Sequence, residues 1–274
     1  RARGLPFIIT AQGTYAVAPL FQWKTSIFSR FVYAHSDMVV AISRYTKERI
    51  VTVVQHMRVT VINHGVWYKK FYASNRVPAL PLILSVGGIK RRKGYHVALE
   101  AVALLRKQIP QVCYCIVGPV GSAGYAHTLR QRAQQDDLRG AVEFMEHVSD
   151  DELRKLYASA GVFLLPSINE GNHFEGFGLV FLEAAAAGTP TIGTRDNGIE
   201  DAIRDGVTGI LVPQNDAVKI ADAARVILSD TKKWHMMSIA SQSYARERDW
   251  AIVALEYKAL YVQILAQHRR SDVL

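Results

Sequence analysis

Two carboxylates, Glu175 and Glu183, stand eight positions apart in the run Glu175-Gly-Phe-Gly-Leu-Val-Phe-Leu-Glu183, which four alanines and Gly188 follow. Leu179 to Ala187 is apolar apart from Glu183, so it predicts a helix buried over most of its surface. Burying an unpaired carboxylate costs roughly several kcal/mol, so Glu183 requires a strong donor or a hydroxyl-rich ligand. Glu175 precedes the first helical turn, beside Gly176 and Gly178, whose missing side chains let a ligand approach the backbone. The free N–H groups of that turn, together with the helix dipole, form an anion site. A carboxylate at the mouth, an anion hole beside it and a second carboxylate two turns deeper suit a phosphorylated, polyhydroxylated ligand. The same residues admit a plainer reading, in which Glu183 pairs with an arginine and the two glycines only make a turn.

The elements that must carry these residues alternate strand and helix from Leu82 onward. Short apolar runs predict strands near Leu82–Val86, Val112–Val117, Val142–Phe144, Val162–Leu165, Pro190–Gly193 and Gly209–Val212. Helices fall between them near His96–Gln108, His127–Asp136, Asp151–Ala158, Leu179–Ala187 and Ile199–Arg204, with another near Val218–Leu228. Such alternation implies a parallel sheet covered on both faces, and ligands of such sheets bind beyond the carboxyl ends of the strands. The loops Gly87–Gly94, Gly118–Gly124, His147–Asp151, Pro166–Gly178 and Thr194–Glu200 converge there.

Before Leu82 the pattern is thinner. Leu5–Thr10, Asp37–Ile42 and Arg58–Ile62 read as strands, with helices at Pro19–Ser36 and at Arg44–Gln55, the latter capped by Ser43. Leu20, Trp23, Ile27, Phe28, Phe31 and Ala34 recur at helical spacing near Lys24 and Arg30, which fits a core-facing helix or one lying on a membrane. The core-facing reading is the commoner one. Phe71–Pro81 reads as a linker.

Composition sets the class: 274 residues, 49% hydrophobic and 21% charged, describe an ordinary globular chain. No apolar run reaches the ~20 residues of a membrane span. Cys113 and Cys115 share one face of a strand, where a mutual bridge is strained, and read as small buried hydrophobes. The histidines lack metal-ligand spacing. Charge is uneven. Residues 1–70 hold ten Lys/Arg against Asp37 and Glu48, so they carry +8 of the chain's +9. Such a basic part suits a phosphate-bearing acceptor or an anionic membrane surface.

The Glu175-x7-Glu183 segment resembles the signature of retaining GT-B glycosyltransferases, the glycosyl transferases group 1. The likeness extends through Leu84-Ser-Val-Gly87-Gly88-Ile-Lys90-Arg-Arg-Lys93-Gly94, Val142-Glu-Phe-Met-Glu-His147-Val148, Phe163-Leu-Leu-Pro166-Ser167, Asn197-Gly198-Ile-Glu200 and Gly206-Val-Thr-Gly209-Ile-Leu-Val212. It is dense from about Pro81 to Val212. The resemblance implies an α/β protein with two Rossmann-like doubly wound domains. Their expected bounds are a partial acceptor-side domain over 1–75, a nucleotide-sugar-binding domain over 76–246, and a closing helix over 247–274 that returns to the first. Residues 1–70 match only the later part of an acceptor domain, so an N-terminally incomplete copy is expected.

By that resemblance the chain moves a sugar from a nucleotide-diphosphate sugar to an acceptor hydroxyl, with retention and without a metal or other cofactor. The alternative is a nucleotide-sugar-binding half without turnover. Lys93 stabilises diphosphate charge and Glu175 orients the donor sugar, as the catalytic pair. Gly87, Gly88 and Arg92 belong to the diphosphate loop; Phe177, Gly178 and Leu179 supply backbone contacts; Val148 meets the base; Glu183 accepts from the ribose hydroxyls. Gln12 and Gly13 lie on the acceptor side, and Glu200 with Asn197-Gly198 lines the sugar end. The implied partners are a nucleotide sugar (UDP or GDP) and an acceptor sugar, lipid-linked glycan or phospholipid, with no nucleic acid. The implied setting is the cytoplasm, including the inner membrane face, in polysaccharide or glycolipid biosynthesis.

Two positions depart from the pattern. Gly88 stands where an arginine is common, and Gln12, in Thr10-Ala-Gln12-Gly13, where a histidine is common. Glutamine donates a hydrogen bond but cannot shuttle a proton near neutral pH, which disfavours a histidine-dependent mechanism. His173 reads as an exposed loop residue. Gly118-Pro-Val-Gly121-Ser-Ala-Gly124 lacks the Gly-x-Gly-x-x-Gly spacing of a dinucleotide loop.

Overall fold

The computed structural model describes residues 5–55, 57–74 and 81–271; Arg1 and Arg3, and positions 75–80 of the expected linker, lie outside the described residues. Runs of β-branched and apolar residues form strands that are all parallel, in two sheets. The smaller sheet is β1 (Ile8–Ala11), β2 (Met38–Ala41) and β3 (Val59–Val61) in that order, with Ile9 opposite Val39 and Val40 opposite Thr60. The larger sheet contains β4 (Leu82–Val86), β5 (Cys113–Val117), β6 (Val142–Met145), β7 (Val162–Leu164), β8 (Thr191–Thr194) and β9 (Gly209–Val212). Its order, β6-β5-β4-β7-β8-β9, reverses direction between β4 and β7. A doubly wound sheet opens its ligand crevice at that switch, beyond the strands' carboxyl ends.

Helices cover both sheets. Around the smaller one lie α1 (Thr14–Phe21), α2 (Ser26–Ala34) and α3 (Arg44–Val51), while the single turn α4 (Tyr68–Phe71) packs its buried Phe71 into the main core beside the larger sheet. The larger one carries α5 (Tyr95–Arg106), α6 (Ala123–Ala133), α7 (Asp150–Ser159), α8 (Leu179–Ala186), α9 (Ala217–Leu228) and α10 (Thr231–Glu247). The last helix, α11 (Trp250–Ser271), returns to the smaller sheet, where Val253 packs with Val40 and Ile62. The other face of that sheet holds Val17, Leu20, Val39 and Ile50. The main core joins Leu84, Leu99, Phe163, Phe181, Ile192 and Ile227.

Local signals explain several starts. Ser43 Oγ accepts from the Thr46 amide at 3.1 Å and opens α3 as its sequence predicts. Ser149 and Glu152 form a reciprocal capping box that opens α7. Elsewhere the chain differs from expectation. The helix expected over Pro19–Ser36 is two, because Gln22 turns extended after α1 and Thr25 Oγ1 donates to the Pro19 carbonyl at 2.9 Å. Apart from Leu20, which is buried, its apolar stripe does not face the core: Trp23, Ile27, Phe28 and Phe31 are exposed, and among α2 residues Tyr33 is buried. The helix expected at Ile199–Arg204 is a short 3-10 turn over Gly198–Asp201. Cys113 is exposed, since it lies one residue before the pairing of β5 with β6 begins, while Cys115 is buried.

Candidate active site

Both sheets direct their carboxyl ends into one cavity of about 230 Å³. The smaller sheet contributes Gln12, Thr14 and Tyr15 after β1, Ile42 after β2 and His64 after β3. The larger sheet contributes Arg92 after β4 and the segment Phe174–Leu179 after β7. Side-chain hydrogen bonds tie the two walls together. Thr14 Oγ1 donates to the Phe174 carbonyl at 2.7 Å and accepts from the Phe174 amide at 2.8 Å. Arg49 donates to Asn172 at 2.6 Å, and Asp201 accepts from Arg44 Nε at 2.5 Å and from Asn63 at 3.1 Å.

The basic run after β4 folds as a 3-10 turn over Arg91–Lys93. The Ile168 amide donates to the Arg92 carbonyl at 2.8 Å, tying this turn to the loop after β7. Lys93 Nζ thereby sits 2.5 Å from Glu175 Oε2, with Arg92 Nη1 at 3.3 Å and Ser167 Oγ at 3.4 Å from the same oxygen. The Lys93 and Glu175 side chains are only 13% and 12% exposed, so this is a buried pair rather than a solvated one. Burial alone pushes the Glu175 carboxyl up, but the charges of Lys93 and Arg92 outweigh it and hold the group below its usual range. Glu175 is therefore an anionic hydrogen-bond acceptor, and a poor proton donor.

Three residues on, Gly178 takes φ 83, a left-handed conformation in which its lack of a side chain also clears the ring of Phe181. No side chain caps α8, so its first N–H groups carry no side-chain partner and face the end of the cavity lined by Gly178 and Leu179. Farther along α8, Glu183 accepts a hydrogen bond from Tyr157 Oη at 2.8 Å. The donor that this half-buried carboxylate finds is a neutral phenol and not an arginine. Burial raises the Glu183 carboxyl above its ordinary value, with Tyr157 opposing.

Of the residues selected from sequence, Gln12, Arg92, Glu175, Phe177, Gly178 and Leu179 line the cavity, and Lys93 reaches Glu175 behind Arg92. Gly13 is buried against Gly176. Gly87, Gly88, Val148 and Glu183 lie outside its wall. The Gly87 carbonyl accepts from Tyr95 Oη at 2.6 Å, and Val148 packs on the main core beside the α7 cap. His173 is exposed. Asn197 and Glu200 do not line this cavity. They border a separate polar cavity of about 310 Å³ with Arg44, Tyr45 and Asp201. Asn197 spends its amide on the Ile199 N–H and on Thr194, and Glu200 accepts from the Asp196 amide.

His64 is the residue sequence reasoning missed. It is half-buried, its ring edge-on to Phe177 and Trp250 at centroid distances of 5.7 and 5.8 Å, and burial lowers its pKa. The available signal was its place just beyond a strand end, in Asn63-His64-Gly65.

Comparison with known proteins agrees with this architecture. Residues 69–244 match the family described as glycosyl transferases group 1. The D-inositol 3-phosphate glycosyltransferase of Corynebacterium urealyticum is 33% identical over 220 residues, 74% of this chain and 51% of that protein. The glycogen synthase of Mycobacterium tuberculosis is 29% identical over 252 residues, 88% of this chain and 59% of that protein. Sucrose-phosphate synthase from Thermosynechococcus elongatus superposes with a TM-score of 0.78 at 25% identity, over 95% of this chain and 68% of that one. HepE from Anabaena, solved in complex with UDP, gives 0.82 at 19% identity, over 94% of this chain and 72% of that one. The chain spans about half the length of the first curated relatives it matches. Its two parallel sheets have the GT-B arrangement. The chain belongs to the glycosyl transferases group 1 family.

Proposed function

We propose that this chain carries the donor site of a retaining glycosyltransferase, which moves a sugar from a nucleoside diphosphate to an acceptor hydroxyl. The observation that carries this reading is the buried Lys93–Glu175 pair beside the uncapped start of α8, at the switch between β4 and β7. Lys93, Arg92 and the first N–H groups of α8 hold the diphosphate, where negative charge grows as the glycosidic bond breaks. Glu175, kept anionic, accepts hydrogen bonds from the sugar hydroxyls. Glu183 takes the ribose hydroxyls, Val148 meets the base through its backbone, and Gln12 with Gly13 forms the acceptor side.

In this scheme the acceptor oxygen attacks the anomeric carbon from the face that the diphosphate leaves. The carbon–oxygen bond to phosphate breaks through an oxocarbenium-like state, and the leaving phosphate oxygen takes the acceptor proton. The products are a glycosylated acceptor and a nucleoside diphosphate. Glutamine at position 12 cannot carry that proton. No metal is required for these steps. A donor-binding half without turnover is the second reading, because the chain spans about half the length of the first curated relatives it matches.

Calorimetric titration with UDP, GDP and ADP tests the site. Saturable binding of one nucleotide is expected, with UDP tried first because HepE was solved with it. Donor binding in the absence of transfer to any acceptor favours the second reading. No binding of any nucleotide rejects both.

A further inference from the structure

The side of α2 turned away from the smaller sheet is apolar and bare. Trp23 is 89% exposed, Ile27 84%, Phe28 73% and Phe31 58%. Single exposed hydrophobics are ordinary, but Ile27, Phe28 and Phe31 on α2 with Trp23 in the turn that enters it make a patch. Its surround is cationic: Lys24 and Arg30 are exposed beside it, and the first 36 residues contain no aspartate or glutamate. An apolar protein partner matches the rings but leaves Lys24 and Arg30 without a counterpart. An anionic bilayer supplies both, seating aromatic rings at the headgroup boundary and phosphates against the cations.

We propose that this face docks on an anionic lipid bilayer. α1 joins it to the active site. This helix of eight residues, about 12 Å long, lines the cavity at Thr14 and Tyr15 and packs on α2. Docking thus holds the cavity near hydroxyls carried by lipids of that leaflet, a consequence that rests on the transfer reading above.

The test is co-sedimentation of the chain with phosphatidylcholine vesicles containing phosphatidylglycerol, against pure phosphatidylcholine. Binding to the anionic vesicles is expected, falling with added salt and weakening about five-fold for each of Lys24→Gln and Arg30→Gln. The double variant Ile27→Ser/Phe28→Ser, at exposed positions, is expected to lose binding while keeping its thermal midpoint. A blue shift of Trp emission on adding vesicles is expected to vanish in Trp23→Phe. Absence of binding, or binding that the double variant retains, overturns the proposal. Self-association that the double variant abolishes, without vesicle binding, assigns the face to protein contact and overturns it too. Nucleotide titration separates the two readings: vesicle binding without nucleotide binding rejects the donor site alone.

Discussion

Gly13 and Gly176 meet without side chains between them: a Cβ on Gly13 falls 2.7 Å from the Gly176 Cα, and one on Gly176 falls 2.9 Å from the Gly13 Cα. These are backbone atoms from the two sheets, at the wall of the cavity, so neither can yield cheaply. Gly13 also has φ 57 and ψ −133, outside the left-handed helical region, where an L side chain is strained by about 1–3 kcal/mol. Gly13→Ala should therefore lower the thermal midpoint and weaken nucleotide binding together, because the wall must part. Gly124→Ala is the control. Nothing lies within 4 Å of its added methyl and it sits in α6, so the midpoint should hold or rise. Equal behaviour of the two variants in thermal unfolding removes the close-approach argument.

The Lys93–Glu175 pair predicts a dependence on acid. Glu175 has its folded pKa below the ordinary 4.5, so its stabilisation is present above 4.5 and is lost as pH falls through the folded value. In Lys93→Ala, burial faces the Arg92 charge alone, so the carboxyl rises and the loss begins at higher pH. Removing one partner of a buried pair costs about 3 kcal/mol when a second cation remains nearby. Urea midpoints measured across the acid range should fall more for Lys93→Ala than for Lys93→Arg. Superimposable curves for wild type and Lys93→Ala refute the coupling.

Glu183 has the opposite sign. Its pKa is raised by burial, so the folded state favours the protonated carboxyl, and stability declines as pH rises from 4.5 through the folded value. Glu183→Gln should hence unfold at higher temperature than wild type at neutral pH, with the gain vanishing in acid. The same change should weaken nucleotide binding about thirty-fold, the worth of hydrogen bonds to a charged acceptor. Tyr157→Phe removes the 2.8 Å donor and should raise the carboxyl further. A Glu183→Gln variant that binds nucleotide normally excludes the ribose role.

Gly88 offers a gain-of-function test. A Cβ there meets only the Pro119 carbonyl oxygen, at 3.7 Å, so the position accepts a side chain without a clash at its first atom. Gly88→Arg should fold normally and tighten nucleoside diphosphate binding several-fold, an effect screened by salt. The nucleoside without phosphate should bind as before. Equal tightening of both places the new cation away from the phosphates.

Legibility of the fold followed its physics. β4 and β9 coincide with their apolar runs because a parallel strand buried on both faces is a short continuous hydrophobic stretch. The Glu175 end of the site was readable for the same reason, since a lone carboxylate beside glycines contrasts with an apolar helix. α10 was not readable: its buried side includes Ser238 and Ser241, which interrupt the apolar period. α2 shows the other limit. Periodicity reveals that a helix has an apolar side but not what covers it. His64 depended on how the two sheets oppose each other, because its ring becomes part of the cavity only through Phe177 and Trp250.

That packing gives His64 its own pH signature. Burial lowers its pKa below the ordinary 6.5, so the folded protein prefers the neutral ring. The unfolded chain binds the proton more readily, and stability is full above 6.5 and falls as pH drops through 6.5 toward the folded value. His64→Asn keeps a polar side chain and removes the titration. The stability of wild type relative to the variant should therefore fall as pH is lowered through this window, whatever their offset at higher pH. Nucleotide binding reads the site separately: a bound donor that lies against the Phe177 wall shields the ring further, so binding by wild type should weaken below pH 6.5 while that of His64→Asn stays level. Parallel stability curves, together with identical pH profiles of binding, place the imidazole in solvent and detach it from the cavity.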